Sequence, residues 1–153
     1  MRFEGTYVAM VTPFNEKRDV DYDKVEQLAH QLANTGSDAV LVTGTTGEAP
    51  TLTYDEEIEI LCGAKRAVNK QAKGIMGTGS NSTETAIKTA KLAQKNDADA
   101  ILSVVPYYNK PSQAGMIEHF SAVAEAVDEF EEAFAGAKGN ADANEIGRLI
   151  ENV

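Results

Sequence analysis

The chain has 153 residues, of which 42% are hydrophobic and 25% charged, as is typical of one globular domain with a hydrophobic core. Its formal net charge of −10 argues against nucleic acids and membrane surfaces as partners, because both attract basic patches. A single cysteine, Cys62, excludes an intrachain disulfide and a metal site built on cysteine pairs. With no signal-peptide pattern and no apolar run of about 20 residues, we expect a cytoplasmic protein.

Short apolar segments alternate with amphipathic ones along most of the chain. Strands are predicted at Tyr7–Val11, Asp38–Val42, Gly74–Met76 and Ala98–Val105, and a helical stripe follows each. This order predicts an α/β fold with a parallel sheet and right-handed crossovers. It fits four β/α units forming half of a (β/α)8 barrel, or an open doubly wound sheet.

The end of the chain has a different pattern. Apolar residues from Met116 to Phe134 recur at spacings of four and three, which predicts a single helix from about Ser112 to Lys138. A second short helix ending at Val153 would complete a helical hairpin. No fifth strand is predicted after residue 105. We therefore divide the chain into a half-barrel at residues 1–127 and a helical tail at residues 128–153.

Three loops rich in functional groups are placed at the carboxyl ends of the predicted strands, where parallel α/β folds carry their sites. The loop at residues 44–48 has glycines and threonine hydroxyls suited to an anion. The loop at residues 77–82 is polar, and the loop at residues 106–111 carries two adjacent tyrosines, of which one can donate a proton. Taken singly, the first is more simply a capped turn, and the third a packing pair.

Other titratable residues are interpreted as structural. His30 and His119 lie within predicted helices and have no partner at metal-ligand spacing, so we predict no metal site. The acidic residues at positions 55–57 begin a helix, where they would complement its dipole.

Five segments together are more specific than any one alone. In chain order they are Phe3-Glu4-Gly5-Thr6, Val11-Thr12-Pro13-Phe14, Gly44-Thr45-Thr46-Gly47-Glu48, Gly77-Thr78-Gly79-Ser80-Asn81 and Val105-Pro106-Tyr107-Tyr108-Asn109-Lys110-Pro111. In order and spacing they resemble the dihydrodipicolinate synthase family, one of the pyruvate-dependent class I aldolases and lyases. The resemblance covers residues 1–127, and Thr45-Thr46 favours the synthase over the neuraminate lyase branch.

The resemblance implies a (β/α)8 barrel that forms homo-oligomers, uses no cofactor, and condenses pyruvate with aspartate semialdehyde in lysine biosynthesis. In the family a lysine forms a Schiff base with pyruvate, and a Tyr-Thr-Tyr relay moves protons. By motif, Thr45 is the relay threonine, and Tyr108 is the tyrosine donated to the neighbouring subunit. Thr46 and Gly47 correspond to the contacts with the pyruvate carboxylate.

The resemblance also implies a lysine-feedback pocket near Tyr54, Asn81 and Tyr107. Thr85 stands where the family has an acidic residue in that pocket. Feedback inhibition is therefore not expected to follow the family pattern.

The later strands of the family barrel carry the Schiff-base lysine, the second relay tyrosine and an arginine, and the predicted elements do not include those strands. Lys110 lies on a suitable loop, but on an exposed turn, whereas a Schiff-base lysine needs desolvation or a neighbouring cation. We therefore expect a truncated or engineered half-barrel without aldolase activity, with the tail as a fused cap. The alternatives are residual binding of pyruvate or a similar carboxylate, a working synthase completed by assembly, and an open flavodoxin-like sheet that binds phosphate at residues 77–82.

Overall fold

The computed structural model, which describes residues 4–127 and 132–134, contains one five-stranded parallel sheet. Its strands are β1 (Tyr7–Ala9), β2 (Ala39–Val42), β3 (Lys73–Gly77), β4 (Ala100–Ser103) and β5 (Glu132–Phe134). Their order in the sheet is the same as their order in the chain. An open doubly wound sheet reverses its strand order at a switch point. The described strands show no such reversal, so their topology is that of successive barrel strands.

Four helices connect or follow the first four strands. They are α1 (Tyr22–Asn34), α2 (Tyr54–Val68), α3 (Thr83–Lys95) and α4 (Gln113–Glu125), and a short 3₁₀ helix (Ala49–Thr51) precedes α2. Each α-helix begins with a polar side chain that accepts a hydrogen bond from a backbone N–H of the first turn; the capping residues are Asp21, Thr53, Ser82 and Ser112. At α2 the Glu56 side chain also accepts from the Thr53 N–H, which completes a capping box.

The two faces of the sheet have different surroundings. Val40, Met76 and Ile101 are fully buried on the face that packs against the helices, where α3 contributes the small residues Ala86, Ala90 and Ala93. On the opposite face a smaller cluster centres on Ile75 and is flanked by the partly buried Tyr7, Leu41 and Leu102. Within the described residues, no helix combines the length and the apolar character needed to cross a membrane.

The predicted helix from about Ser112 to Lys138 is wrong. Helix α4 ends at Glu125, and the segment Glu132–Phe134 pairs in parallel with β4, so that Ala133 faces Leu102. The prediction of no strand after residue 105 is wrong for the same reason. The outer edge of β4 offers unpaired N–H and C=O groups, and satisfying them outweighs an apolar spacing that also suits a helix. The second predicted helix, near Val153, lies outside the described residues.

Candidate functional site

The carboxyl ends of β1, β2 and β3 are joined by side-chain hydrogen bonds to backbone. The hydroxyl of Thr12, which is buried just beyond β1, donates to the carbonyl of Gly47 over 2.6 Å. The hydroxyl of Thr43, directly after β2, donates to the carbonyl of Gly77 at the end of β3 over 3.3 Å. Thr43 has a φ of 52°, an unusual conformation for a β-branched residue. These bonds hold the loops that follow three neighbouring strands in a fixed relation.

The loop at residues 44–48 is a compact turn closed by hydrogen bonds of its own backbone. The N–H groups of Gly47 and Ala49 both donate to the carbonyl of Gly44, over 3.0 and 3.4 Å, and the N–H of Glu48 donates to the carbonyl of Thr45. A Cβ atom on Gly47 would lie 3.1 Å from the Thr43 nitrogen, so the turn leaves little room for a side chain there. Thr45 and Thr46 are both exposed. Their hydroxyls are therefore available to a ligand.

The loop after β4 presents both tyrosines to solvent. Tyr107 is 47% exposed, and Tyr108 is 95% exposed with a φ of 67°. Lys110 also has a positive φ, 48°, so two strained residues flank Asn109. The side-chain amide of Asn109 donates to the carbonyl of Asn81 over 2.6 Å. This bond joins the tyrosine loop to the loop after β3.

A second group of predicted residues lies along α2 and α3. Tyr54, the first residue of α2, is 41% exposed, and the Lys88 ammonium of α3 lies 4.5 Å from the centroid of its ring. This distance is within the range of a cation–π contact. One turn further along α2, Glu57 is only 8% exposed, and burial raises the pKa of its carboxyl to about 7.

Sequence reasoning missed Glu57 as a buried residue. The sequence interpretation places it with Asp55 and Glu56 in an acidic helix start, and of those two Asp55 is exposed and Glu56 partly exposed. The signal that could have identified it is its helical phase. Glu57 shares its spacing of three, four and seven residues with the buried positions Ile60, Leu61 and Ala64.

The predicted site residues are thus distributed over three carboxyl-end loops and the start of α2. Asn81 and the tyrosine loop are brought together directly by the Asn109 bond. Thr45 and Tyr108 follow β2 and β4, which are separated by β3. Among the described residues, no cluster of three or more His, Cys, Asp or Glu side chains could hold a metal ion. The roles assigned to these residues remain predictions.

Comparison with known proteins identifies one family. The model of the dihydrodipicolinate synthetase family matches residues 2–130. The 4-hydroxy-tetrahydrodipicolinate synthase of Synechococcus sp. (strain JA-2-3B'a(2-13)) is 52% identical over 128 residues, which cover 84% of this chain and 42% of that relative.

Alignments with solved structures of this family cover almost all of the chain. Dihydrodipicolinate synthase from Cyanidioschyzon merolae, with lysine bound, is 40% identical with a TM-score of 0.88, over 97% of this chain and 53% of that one. The Acinetobacter baumannii enzyme, complexed with pyruvate, is 38% identical with a TM-score of 0.89, over 98% of this chain and 53% of that one.

Two conclusions follow from these comparisons. The chain spans about half the length of the relatives it matches. Because the structural alignments extend so far, the prediction that residues 128–153 are unrelated to the family is not supported. The sequential parallel strands, the loops at their carboxyl ends and the family match over most of the residues agree, and the chain belongs to the dihydrodipicolinate synthetase family.

Proposed function

We propose that this chain supplies the N-terminal half of the active site of a 4-hydroxy-tetrahydrodipicolinate synthase, a carbon–carbon lyase of lysine biosynthesis. The observation that carries the proposal is the turn at residues 44–48. It stands at the carboxyl edge of a sequential parallel sheet, is anchored by the bond from Thr12 to Gly47, and leaves two threonine hydroxyls exposed. Active sites of (β/α)8 barrels lie at this edge.

In this proposal the hydroxyls of Thr45 and Thr46 have different roles. Thr46 binds the carboxylate of pyruvate through its hydroxyl, which is a good donor to an anionic oxygen, and Gly47 shapes the turn through its N–H bond to the Gly44 carbonyl. Thr45 relays a proton to Tyr108, whose phenol acts as a general acid. The Acinetobacter baumannii relative was solved with pyruvate, which supports a small carboxylate as the ligand.

We further propose that these 153 residues alone do not form the Schiff base. Lys110, the lysine on the tyrosine loop, is exposed. A lysine that attacks a carbonyl at neutral pH needs desolvation or a neighbouring cation. The chain on its own would then bind pyruvate without turning it over.

Borohydride trapping tests this second proposal. The chain is incubated with pyruvate, reduced, and weighed intact by mass spectrometry. We expect the unmodified mass. A stoichiometric pyruvyl adduct would contradict the proposal, and the same experiment on Lys110→Arg would show whether that lysine is the nucleophile.

Complementation tests the active-site assignment itself. The chain is mixed with the C-terminal half of the Synechococcus relative, which supplies the later strands, and condensation of pyruvate with aspartate semialdehyde is followed. We expect activity that Thr45→Val and Tyr108→Phe each lower by about 100-fold or more, as for loss of a proton-transfer group. Tyr107→Phe, which removes the neighbouring hydroxyl, is the matched control and should retain activity. Equal losses at both tyrosines would contradict the assignment.

The assembly proposed for the chain is a homo-oligomer in which Tyr108 reaches a neighbouring subunit. Its support is the 95% exposure of Tyr108, which is unusual for a large aromatic side chain, next to the partly exposed Tyr107. Light scattering over a range of concentrations measures the assembly. A monodisperse monomer at every concentration would contradict it.

We propose that lysine binds only weakly near Tyr54, Asn81 and Tyr107. The Cyanidioschyzon merolae relative was solved with lysine bound. In this chain the Lys88 ammonium occupies the face of the Tyr54 ring, and Thr85 supplies no negative charge to attract an amino group. Calorimetric titration with lysine measures the affinity, and a tight complex would contradict this proposal.

A further inference from the structure

Two hydroxyl groups are buried side by side beneath the carboxyl edge of the sheet. Thr78 and Ser103 form the next pair in the register that aligns Met76 with Ile101 and Gly77 with Leu102, and the Thr78 N–H donates to the Leu102 carbonyl over 3.0 Å. Side chains alternate between the faces of a sheet, so both hydroxyls lie on the helix-covered face with Met76 and Ile101. Thr78 is 2% exposed and Ser103 1%, and neither hydroxyl has a hydrogen-bond partner within the described part of the chain.

A third buried polar group without a partner belongs to His119. His119 of α4 is 3% exposed, and its Nδ1 is 2.8 Å from the Thr83 hydroxyl at the start of α3. Its Nε2 has no partner among residues 4–127. His119 lies one turn before Val123, which shares the main core with Met76 and Ile101. Thr83 begins the helix that follows β3, so the contact with its hydroxyl places the imidazole near the end of the fold where β3 and β4 finish.

Three polar atoms without partners in one buried layer would be unfavourable, because each has given up its hydrogen bonds to bulk water. A buried water molecule typically makes about three hydrogen bonds to groups of this kind. We infer that Thr78, Ser103 and His119 together bind one internal water molecule between β3, β4 and α4. Two hydroxyls and an imidazole offer no carboxylate, so they suit water better than a divalent cation such as magnesium or calcium.

One water molecule can form a hydrogen bond with each of the three side chains at once. Burial lowers the pKa of His119, which keeps the ring neutral. When Nδ1–H donates to the Thr83 hydroxyl, Nε2 is left as an acceptor. The water then donates to Nε2 and to one hydroxyl oxygen, and it accepts from the other hydroxyl. The site would join α4, through the water, to the two strands whose loops carry Asn81 and the tyrosines.

The test is a crystal structure of the full 153-residue chain together with water relaxation dispersion in solution. We expect density for one water within hydrogen-bond distance of all three side chains, and a long-lived internal water in the dispersion profile. Direct bonding between Ser103 and His119 with no density between them would overturn the inference. Neither wild-type measurement depends on a variant that has to fold.

Two variants assign the bound water to these side chains. Ser103→Ala and Thr78→Val each remove one of its partners, and we expect each to lower or abolish the long-lived water signal. Thr89→Val is the matched control, because the Thr89 hydroxyl is buried in the same helix–sheet layer but already donates to the Thr85 carbonyl over 3.0 Å. An undiminished signal in both test variants would overturn the inference, as would an equal loss in the control.

Discussion

The hydroxyl of Thr12 and the carbonyl of Gly47 form a buried 2.6 Å hydrogen bond between segments 35 residues apart in the chain. The bond links the residues that follow β1 to the turn that follows β2. At its other side, Gly47 packs against the backbone of Thr43 and Met10. The exposed threonines of the turn are therefore held by a rigid support that comes from the neighbouring strand.

Replacing Thr12 by valine should destabilise the chain by about 1–3 kcal/mol, because it leaves the buried Gly47 carbonyl without its donor. Urea denaturation measures the free energy of unfolding. Thr12→Ser keeps the hydroxyl and should cost clearly less. If the two variants were equally stable, the hydrogen bond would not be the contribution that matters at this position.

Replacing Gly77 by alanine should also destabilise the chain, by about 1–3 kcal/mol or more. A Cβ at this position would meet the Thr43 carbonyl and would lie 2.9 Å from both the nitrogen and the Cα of Gly44, so the backbone would have to move. The matched control is Gly115→Ala in α4, where the nearest atom, the Ser112 hydroxyl, is an ordinary 3.5 Å away. There alanine should stabilise by up to about 1 kcal/mol through helix propensity. Thermal unfolding of both variants separates the two effects.

Glu57 should make the chain less stable as the pH rises from about 4.5 to about 7. Its pKa is raised in the folded state from an ordinary 4.5 to about 7, so between these values the folded chain binds more protons than the unfolded one. The loss is complete above the folded pKa and amounts to about 3 kcal/mol at most. In Glu57→Gln this loss should be absent, so the difference in unfolding free energy between variant and wild type should grow in favour of the variant across that range. A difference independent of pH would contradict the prediction.

Glu56, the neighbouring residue, should behave in the opposite way. Hydrogen bonds from the Thr53 backbone and hydroxyl hold the pKa of its carboxyl below its ordinary value. The stability that ionised Glu56 contributes is therefore present above pH 4.5 and is lost as the pH falls through its lowered pKa. Glu56→Gln should flatten the acid side of the stability profile and leave the decline towards pH 7 intact. Urea titrations at several pH values distinguish the two carboxyls.

Replacing Asn109 by alanine should loosen the tyrosine loop. The variant removes the 2.6 Å bond to the Asn81 carbonyl and leaves the positive φ values of Tyr108 and Lys110 without that support. We expect faster amide hydrogen exchange at residues 106–111, and a loss of about 1 kcal/mol or less in global stability because the bond is exposed. Tyr107→Phe leaves the bond in place and should not change the exchange. Unaltered exchange in Asn109→Ala would contradict the prediction.

The order of strands and helices was predictable because each element has a local sequence pattern. Apolar runs such as residues 38–42 and capping residues such as Thr53 act within a few positions of the chain, and the structure confirms strands and a capping box there. The predicted strand ends were too long: β1 ends at Ala9 and β4 at Ser103, because the apolar residues that follow them continue into the carboxyl-end loops.

The features that were missed depend on what lies across the fold. Strand β5 forms because β4 offers a free edge. The spacing of Met116, Phe120 and Val123 does not reveal that the helix ends at Glu125. The burial of Ser103 likewise depends on how the helices pack over the sheet. Local sequence patterns do not reveal such long-range pairings. The sequence therefore locates the loops of the candidate site but not the contacts that hold them in place.

The sequential strand order has a consequence for how the molecule is made. Each described strand after β1 pairs with the strand synthesised just before it, and the helix between them returns the chain to the edge of the sheet. Each pairing spans one β/α unit, so it costs less loop entropy than pairing strands from opposite ends of the chain. Each β/α unit can therefore pack against the completed units while the next is still being translated. The sheet then grows from its amino-terminal side, in the order of synthesis.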